Sequence, residues 1–407
     1  MCGICGFTKA EDSAGDRATL KAMCDVMAHR GPDGEGLHIA DGIALGHRRL
    51  ALIDLAGGAQ PMTRGQWTIV FNGEIYNYRE LRAELEGEGH EFVTDSDTEV
   101  LLVGYIAWSE AVLDRVRGMF AFAIYDAETR ELFCARDFFG IKPFYYTTQG
   151  GQFVFASEIK CILEHPAYHR ELNEEALAHY LCFQFSALQE TFFKGVFKLP
   201  QGHCLRVRAD GSLTVRRYWR PEFRPRVDRP EAETVDAIAD AMRESVRFHN
   251  VADVEVGSFL SSGIDSSYLA ALLAQENPDI KTFTVGFAEY EGERDEISWA
   301  GELAEKLEVE NDSHHITEEE YWEVLPKVQW HMDEPSADPS AVALYFVDKL
   351  AARRVKAVLS GEGADEFFGG YRIYQAPLAN EHVSKVPKPL LRAGSKLLRA
   401  LGRRGAN

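Results

Sequence analysis

The spacing of apolar residues changes once along this 407-residue chain, and that change limits the folds open to it. Up to residue 215 the pattern is of short strands with turn punctuation: GIALGHRRLALID, WTIVFNGEIYN, GMFAFAIYD, ELFCARD, QFVFASEIK and HCLRVRADGSLTVRRYW. Apolar spacing of three to four predicts helices over about 17–29, 78–88 and 97–108. Clustered strands with few helices predict stacked antiparallel sheets flanked by helices. A linker is expected at 216–234, where RPEFRPRVDRPEAET is rich in Pro and charge. From 235 to 407 helical stretches alternate with the strands VEVGSFL, TFTVGF, NDSHHI and VKAVLS, the rhythm of a doubly wound parallel sheet.

Composition narrows the classes further. Net charge is −20, which argues against non-specific nucleic-acid binding. No apolar run approaches the ~20 residues that span a membrane, and the first thirty residues lack a signal-peptide apolar core. The seven cysteines are odd in number and scattered, as expected of reduced thiols. A cytoplasmic, multi-domain protein is the expectation.

The opening MCGICGF contains Cys2 and Cys5 at the spacing of a redox pair or half a zinc knuckle. A knuckle needs a second pair, which does not follow at finger spacing. A thioredoxin-type pair follows a strand and opens a helix rather than beginning a chain. Cys5 reads as a small buried hydrophobe on a first strand. Cys2 would acquire a free α-amino group if Met1 were removed.

Three later stretches bear on Cys2. RRLALID places Arg49 at the start of an apolar strand, and an arginine can grip an α-carboxylate bidentately. FNGEIYN puts Asn72 and Gly73 at a strand end, where an amide and a backbone N–H can stabilise an oxyanion. Asp97, in SDTEV, or Glu74 can take an α-ammonium. A thiolate with an α-amino base of pKa ~7.7–8.0 would complete acyl transfer. Alone, each stretch has a plainer reading: a turn for Asn-Gly, a helix cap for Asp97.

Together MCGICGF, HRGPDG (29–34), RRLALID, FNGEIYN and SDTEV resemble the class II glutamine amidotransferase domain, an α+β N-terminal-nucleophile glutaminase with a four-layer αββα fold. The resemblance implies that Cys2 takes the γ-glutamyl group and frees ammonia. It implies a glutamine site of Arg49, Leu50, Ala51, Leu52, Ile53, Asn72, Gly73, Glu74 and Asp97. RDFFGIKPFYY (136–146) and FASEIK (155–160) also match that family, where they form the face towards the next domain.

In the second half FLSSGIDSS (259–267) ends a strand in a Ser/Gly loop that opens a helix, a geometry that cradles phosphate. It lacks the G-x-x-x-x-G-K-S/T pattern. It is similar to the pyrophosphate loop of N-type ATP pyrophosphatases, with Ser262 where the commoner form has a second Gly. SGEGADEFFGGY (360–371) resembles the motif of glutamine-hydrolysing asparagine synthetases. That likeness implies an α/β doubly wound synthetase domain using ATP and Mg²⁺. ATP contacts would come from Leu260, Ser261, Gly263, Asp265, Ser266, Val285, Ser360 and Gly361. Glu362 would work at a β-aspartyl-adenylate, and Asp265 and Asp365 would meet the metal. EPSADPSA (334–341) would line the aspartate side.

The implied activity is ATP-dependent amidation of aspartate to asparagine with ammonia from glutamine, in a protein that could form a homodimer. Amidation of another carboxylate, or glutamine hydrolysis alone, are the alternatives. Family members run some two hundred residues further. His314 and His315 read as structural. From Val383 the chain carries basic residues and leucines (Leu390, Leu391, Leu397, Leu398, Leu401) at helical spacing, expected as a helix or loop lacking packing partners.

Overall fold

The computed structural model describes residues 1–40, 42–224, 228–290, 295–374 and 385–393. Most of the basic segment after Val383, including Leu397, Leu398 and Leu401, lies outside the described residues.

Two six-stranded antiparallel sheets build the first half. In one, the strand Gly3–Thr8 lies between Ile43–Arg49 and Val154–Ala156. In the other, Trp67–Ile75 pairs with Gly118–Asp126. Strand alternation sends side chains to two faces, and three separate cores result. Ile4, Leu45, Val70, Ala123 and Phe155 meet between the sheets. Cys5, Phe7, Leu20 and Met23 pack on one outer face, with the helix Ala14–Val26. Ile69, Phe71, Leu81, Leu85 and Leu101 pack on the other, with Tyr78–Gly87 and Asp97–Trp108. The layers therefore run helix, sheet, sheet, helix. Cys5 is fully buried, its sulfur 3.6 Å from that of Cys24.

The first helix starts three residues before its expected place because Ser13 and Asp16 form a capping box. Two other local expectations change with more consequence. Arg49 ends a strand rather than beginning one, and residues 50–54 form an irregular loop. Asn72 and Gly73 sit within Trp67–Ile75, opposite Ala121 and Phe120, not at its end.

The second half holds a four-stranded parallel sheet ordered Glu310–Ile316, Lys281–Phe287, Val256–Phe259, Ala357–Leu359. Leu260 packs with Ala270, Ala300 and Ala304, whereas Phe283 packs with Val347, Ala351 and Val355, so helices cover both faces. The chain winds outward from Val256–Phe259 to one side, then returns to place Ala357–Leu359 on the other. Strand order reverses between those two, and such a switch point opens a crevice at the carboxyl ends of the strands. FLSSGIDSS and SGEGADEFFGGY leave the sheet there.

Side chains join the halves directly. The buried Lys160 ammonium lies 2.6 Å from Glu158 and 3.0 Å from Asp333, and Asp333 also accepts the Ile159 N–H at 2.7 Å. FASEIK thus lies on the face between the domains. Phe139, from the other motif expected there, meets the Phe367 ring edge-on.

Candidate active sites in the two halves

Cys2 lies just before the first strand, with its sulfur against the loop that follows Arg49. The thiol sulfur accepts the Leu50 N–H at 3.4 Å. Burial pushes the Cys2 thiol pKa up, against that hydrogen bond, so a base is needed to form the thiolate. The Met1 amine is buried beside it, and burial lowers its pKa to about 5.

The Asn72 side chain is fully buried, and neither its oxygen nor its nitrogen has a partner. Orphaned amide atoms are costly, and a pair aimed into a cavity marks a place for a polar ligand. Gly73 has a related reason for its type. A Cβ there would come 2.1 Å from the Met119 carbonyl, so only glycine lets the two strands close. Its N–H follows from strand geometry. The short strand Met62–Arg64 covers Trp67–Ile75 only as far as Ile69, leaving an open edge beyond. Phe71 N–H reaches Gln60 Oε1 and Ile75 N–H reaches Asp97 Oδ2 along that edge, and period two points Gly73 N–H the same way. The donor is free because the edge is open, not because the strand stops.

Asp97 opens its helix beneath this edge, where Ser96 caps the Thr98 N–H. Burial raises the Asp97 pKa to about 6, although Ile75 and Thr98 N–H groups favour its ionised form. Burial also raises Glu74 above the usual carboxylate range, and Lys142, itself held low by burial, opposes that. Arg49 donates to the carbonyls of Asp54 at 2.6 Å and Leu55 at 3.0 Å. Leu50, Leu52 and Ile53 line the same cavity, while Ala51 is buried behind them with its N–H on Asp33.

Sequence reasoning passed over Arg30 and Lys142. Arg30 donates to the Cys2 carbonyl at 2.9 Å and to Glu158 at 3.1 Å. Lys142 is buried beside Met1 and is held low by Arg30 as well as by burial, with Glu74 and Cys2 raising it. Their motifs, HRGPDG and RDFFGIKPFYY, were visible, but nothing local showed where the side chains reach.

At the switch point of the parallel sheet, Ser261 and Ser266 hydroxyls lie 2.6 Å apart and the Ser261 hydroxyl accepts the Gly263 N–H. Gly263 caps the helix Ile264–Glu276, which carries Asp265 in its first turn. Ser262 is not among the residues with positive φ, so its backbone suits a residue other than glycine. Leu260 N–H donates to Phe283 O, which places it beside the strand bearing Val285.

The two loops of this half meet closely. A Cβ on Gly361 would come 3.2 Å from the Asp265 Cβ and 3.3 Å from Ser266 N. Glycine leaves a cradle there of a kind that phosphate oxygens occupy. The Asp365 carboxylate folds over Gly370. No group of three or more His, Cys, Asp or Glu that could hold a metal alone occurs among the described residues. Asp265 stands in the first turn of Ile264–Glu276 and Asp365 in the first turn of Ala364–Phe368, and such carboxylates are of the donor type that a magnesium ion takes one or two at a time, with phosphate oxygens and water. His314 and His315 face carboxylates of Glu320 and Asp295, each at 3.2 Å.

A cavity of ≈ 960 Å³ connects the two halves. Cys2, Asn72, Gly73, Glu74 and Asp97 line it on one side, Ser360 and Glu362 on the other.

A stacked-sheet domain with a cysteine at its first strand is here joined to a parallel-sheet domain with a Ser/Gly loop at its switch point. Residues 1–219 match the glutamine amidotransferase domain family and residues 237–406 the asparagine synthase family. The chain is 45% identical to asparagine synthetase (glutamine-hydrolyzing) 1 of Bacillus subtilis, over 96% of this chain and 62% of that one. It is 43% identical to a putative asparagine synthetase (glutamine-hydrolyzing) of Mycobacterium bovis, over 100% of this chain and 66% of the relative. For a putative counterpart in Methanocaldococcus jannaschii the figures are 33%, 98% and 81%. The chain belongs to the glutamine-hydrolysing asparagine synthetase family. It spans 62% to 66% of the length of the first two of these relatives.

Proposed function

We propose that this protein makes asparagine from aspartate, spending ATP and taking ammonia from glutamine. The observation that carries the reading is that one cavity touches both Cys2 and Glu362. Once Met1 is removed, the Cys2 α-amine takes the thiol proton, and burial favours the neutral amine that such a base requires. Arg49 grips the glutamine α-carboxylate and Asp97 its α-ammonium, with Glu74 beside it. The sulfur attacks the γ-carbonyl. Asn72 Nδ2 and Gly73 N–H hold the oxygen as it becomes negative. The C–N bond breaks as the amine returns the proton, ammonia leaves into the cavity, and water then cleaves the thioester to glutamate.

In the second half, Ser261, Gly263, Ser266, Ser360 and Gly361 hold the phosphates of ATP, with Leu260 and Val285 towards its base. The aspartate β-carboxylate attacks the α-phosphorus and pyrophosphate leaves, giving β-aspartyl-AMP. Ammonia displaces AMP from that acyl carbon, and Glu362, which lines the cavity, takes the amine's surplus proton. Magnesium held by Asp265 and Asp365 would neutralise phosphate charge. A cytoplasmic setting suits these substrates.

The test supplies aspartate, Mg·ATP and glutamine labelled with ¹⁵N in the side-chain amide. Labelled asparagine with equimolar AMP is expected. Label in another amide sinks aspartate as acceptor, and glutamate without AMP leaves a glutaminase alone.

A further inference from the structure

The loop 50–54 has no strand partner, yet it carries the Leu50 N–H that meets Cys2 and the Asp54 carbonyl that orients Arg49. Its backbone is unusual at Asp54, where φ is 46°. A non-glycine residue in that region persists only where its surroundings over-determine it. Part of what determines it comes from the other half of the molecule. Asp253 N–H donates to the Leu52 carbonyl at 2.8 Å, and the Asp253 carboxylate accepts the Asp54 N–H at 2.7 Å. The two bonds from one residue form a clamp across the loop. A third tie runs through Asp33, whose Oδ2 accepts the Ala51 N–H at 2.9 Å and the Lys356 ammonium at 2.8 Å.

Lys356 is placed to matter. It immediately precedes the strand Ala357–Leu359, and Ser360, Gly361 and Glu362 follow that strand's other end. At about 3.3 Å per residue, a rigid extended segment of roughly 13 Å separates Lys356 from Ser360.

We infer that Asp253 and Lys356 are positioning residues for the first site: from the synthetase half they set the loop 50–54, and through it the grip of Arg49 on glutamine. The inference rests on the glutaminase reading above and adds to it that glutamine affinity is fixed partly by residues outside the glutaminase domain. Asp253 is exposed and Lys356 half-exposed, so neither supports the core, and their loss reaches glutamine binding before it reaches folding.

The experiment measures steady-state glutamine hydrolysis by the full chain and its variants. D253A removes the acceptor for Asp54 N–H and is expected to raise KM for glutamine about fivefold to twentyfold, with kcat within about twofold. D253N keeps an amide oxygen at the same place and is expected to restore KM to within about twofold of the parent. K356M is expected to raise KM about threefold and K356R to restore it. Hydrogen exchange over 50–58 reads the brace independently of activity, with faster exchange expected in D253A alone of the two Asp253 variants. If the parent hydrolyses glutamine and D253A keeps the parental KM, this inference alone is overturned. Equal losses in D253A and D253N also overturn it. A parent that hydrolyses no glutamine removes the glutaminase reading, and this inference with it.

Discussion

The two candidate sites differ first in how much water they admit. Asn72, Glu74 and Asp97 are 0%, 9% and 5% exposed. Asp265, Ser360 and Glu362, in contrast, stand exposed. Groups held away from water interact strongly and are ready before the substrate arrives. Their cost is visible in the shifted pKa of Asp97 and in the orphaned Asn72 amide. The open site shows a glycine cradle and exposed carboxylates, and on the proposed reading would complete its electrostatics only with the charges that nucleotide and metal bring. The comparison teaches that, on the proposed reading, the first half concentrates its chemistry in a few protein atoms, whereas the second would share it with its substrates.

Single substitutions should therefore be severe in the buried site. C2A removes the proposed nucleophile and is expected to lower glutamine hydrolysis by at least ~10³-fold. Ammonium-dependent AMP formation should stay near the parental rate. Loss of both would break the comparison, because it would make the sites one unit. N72A tests the pre-formed donor: a drop in kcat of ~10² to 10³ with little change in KM is expected for one oxyanion contact. A pure KM effect would instead make Asn72 a binding group. The junction between the regions comes next. K160M leaves Asp333 buried with only the Ile159 N–H, and about 3 kcal/mol of stability is expected to go. Urea denaturation measures it, and D333N added to K160M should return part of the loss. If the two losses simply add, Lys160 and Asp333 do not act as a pair.

How far the sequence carried these sites follows from the range of the interactions involved. The doubly wound half was legible because helix and strand periods alternate, and FLSSGIDSS falls where a strand meets a helix. Asp97 was legible as a helix start because capping is local. Gly73 was read on the right strand but at the wrong place. Its free N–H depends on Met62–Arg64 being three residues long, which no pattern around Gly73 records. Arg30 and Lys142 were missed for a related reason. Arg30 reaches back 28 residues to Cys2, and Lys142 meets a residue 141 positions away. Such contacts are made by stacking two sheets, and only the assembled layers show them. Likewise nothing in RRLALID announced that Leu52 and Asp54 would be held by Asp253.

Asp97 offers the finest discrimination between a buried, pre-formed site and a solvated one. Its pKa of about 6 lies above the ordinary aspartate value, chiefly through burial. A carboxyl raised in the folded state adds stability below its unfolded pKa and loses it as pH rises through the folded value. At pH 8 the ionised group is thus a cost to the ligand-free protein, offset when a substrate ammonium binds. KM for glutamine should accordingly be flat above pH 7 and rise about tenfold per unit once pH falls below ~6. D97N should bind glutamine poorly at every pH and lose that slope. D97N should also be the more stable protein at pH 8, by about 1 kcal/mol, because the amide is neutral and can still accept the Ile75 N–H. At pH 5 the difference should narrow, and it should vanish only below the unfolded aspartate pKa of about 3.9, where both states are protonated. Thermal unfolding at the two pH values reads this directly. A D97N variant less stable than the parent at pH 8 would mean that the carboxylate is solvated or paired, and the contrast between the two sites would then fail at its most buried acid.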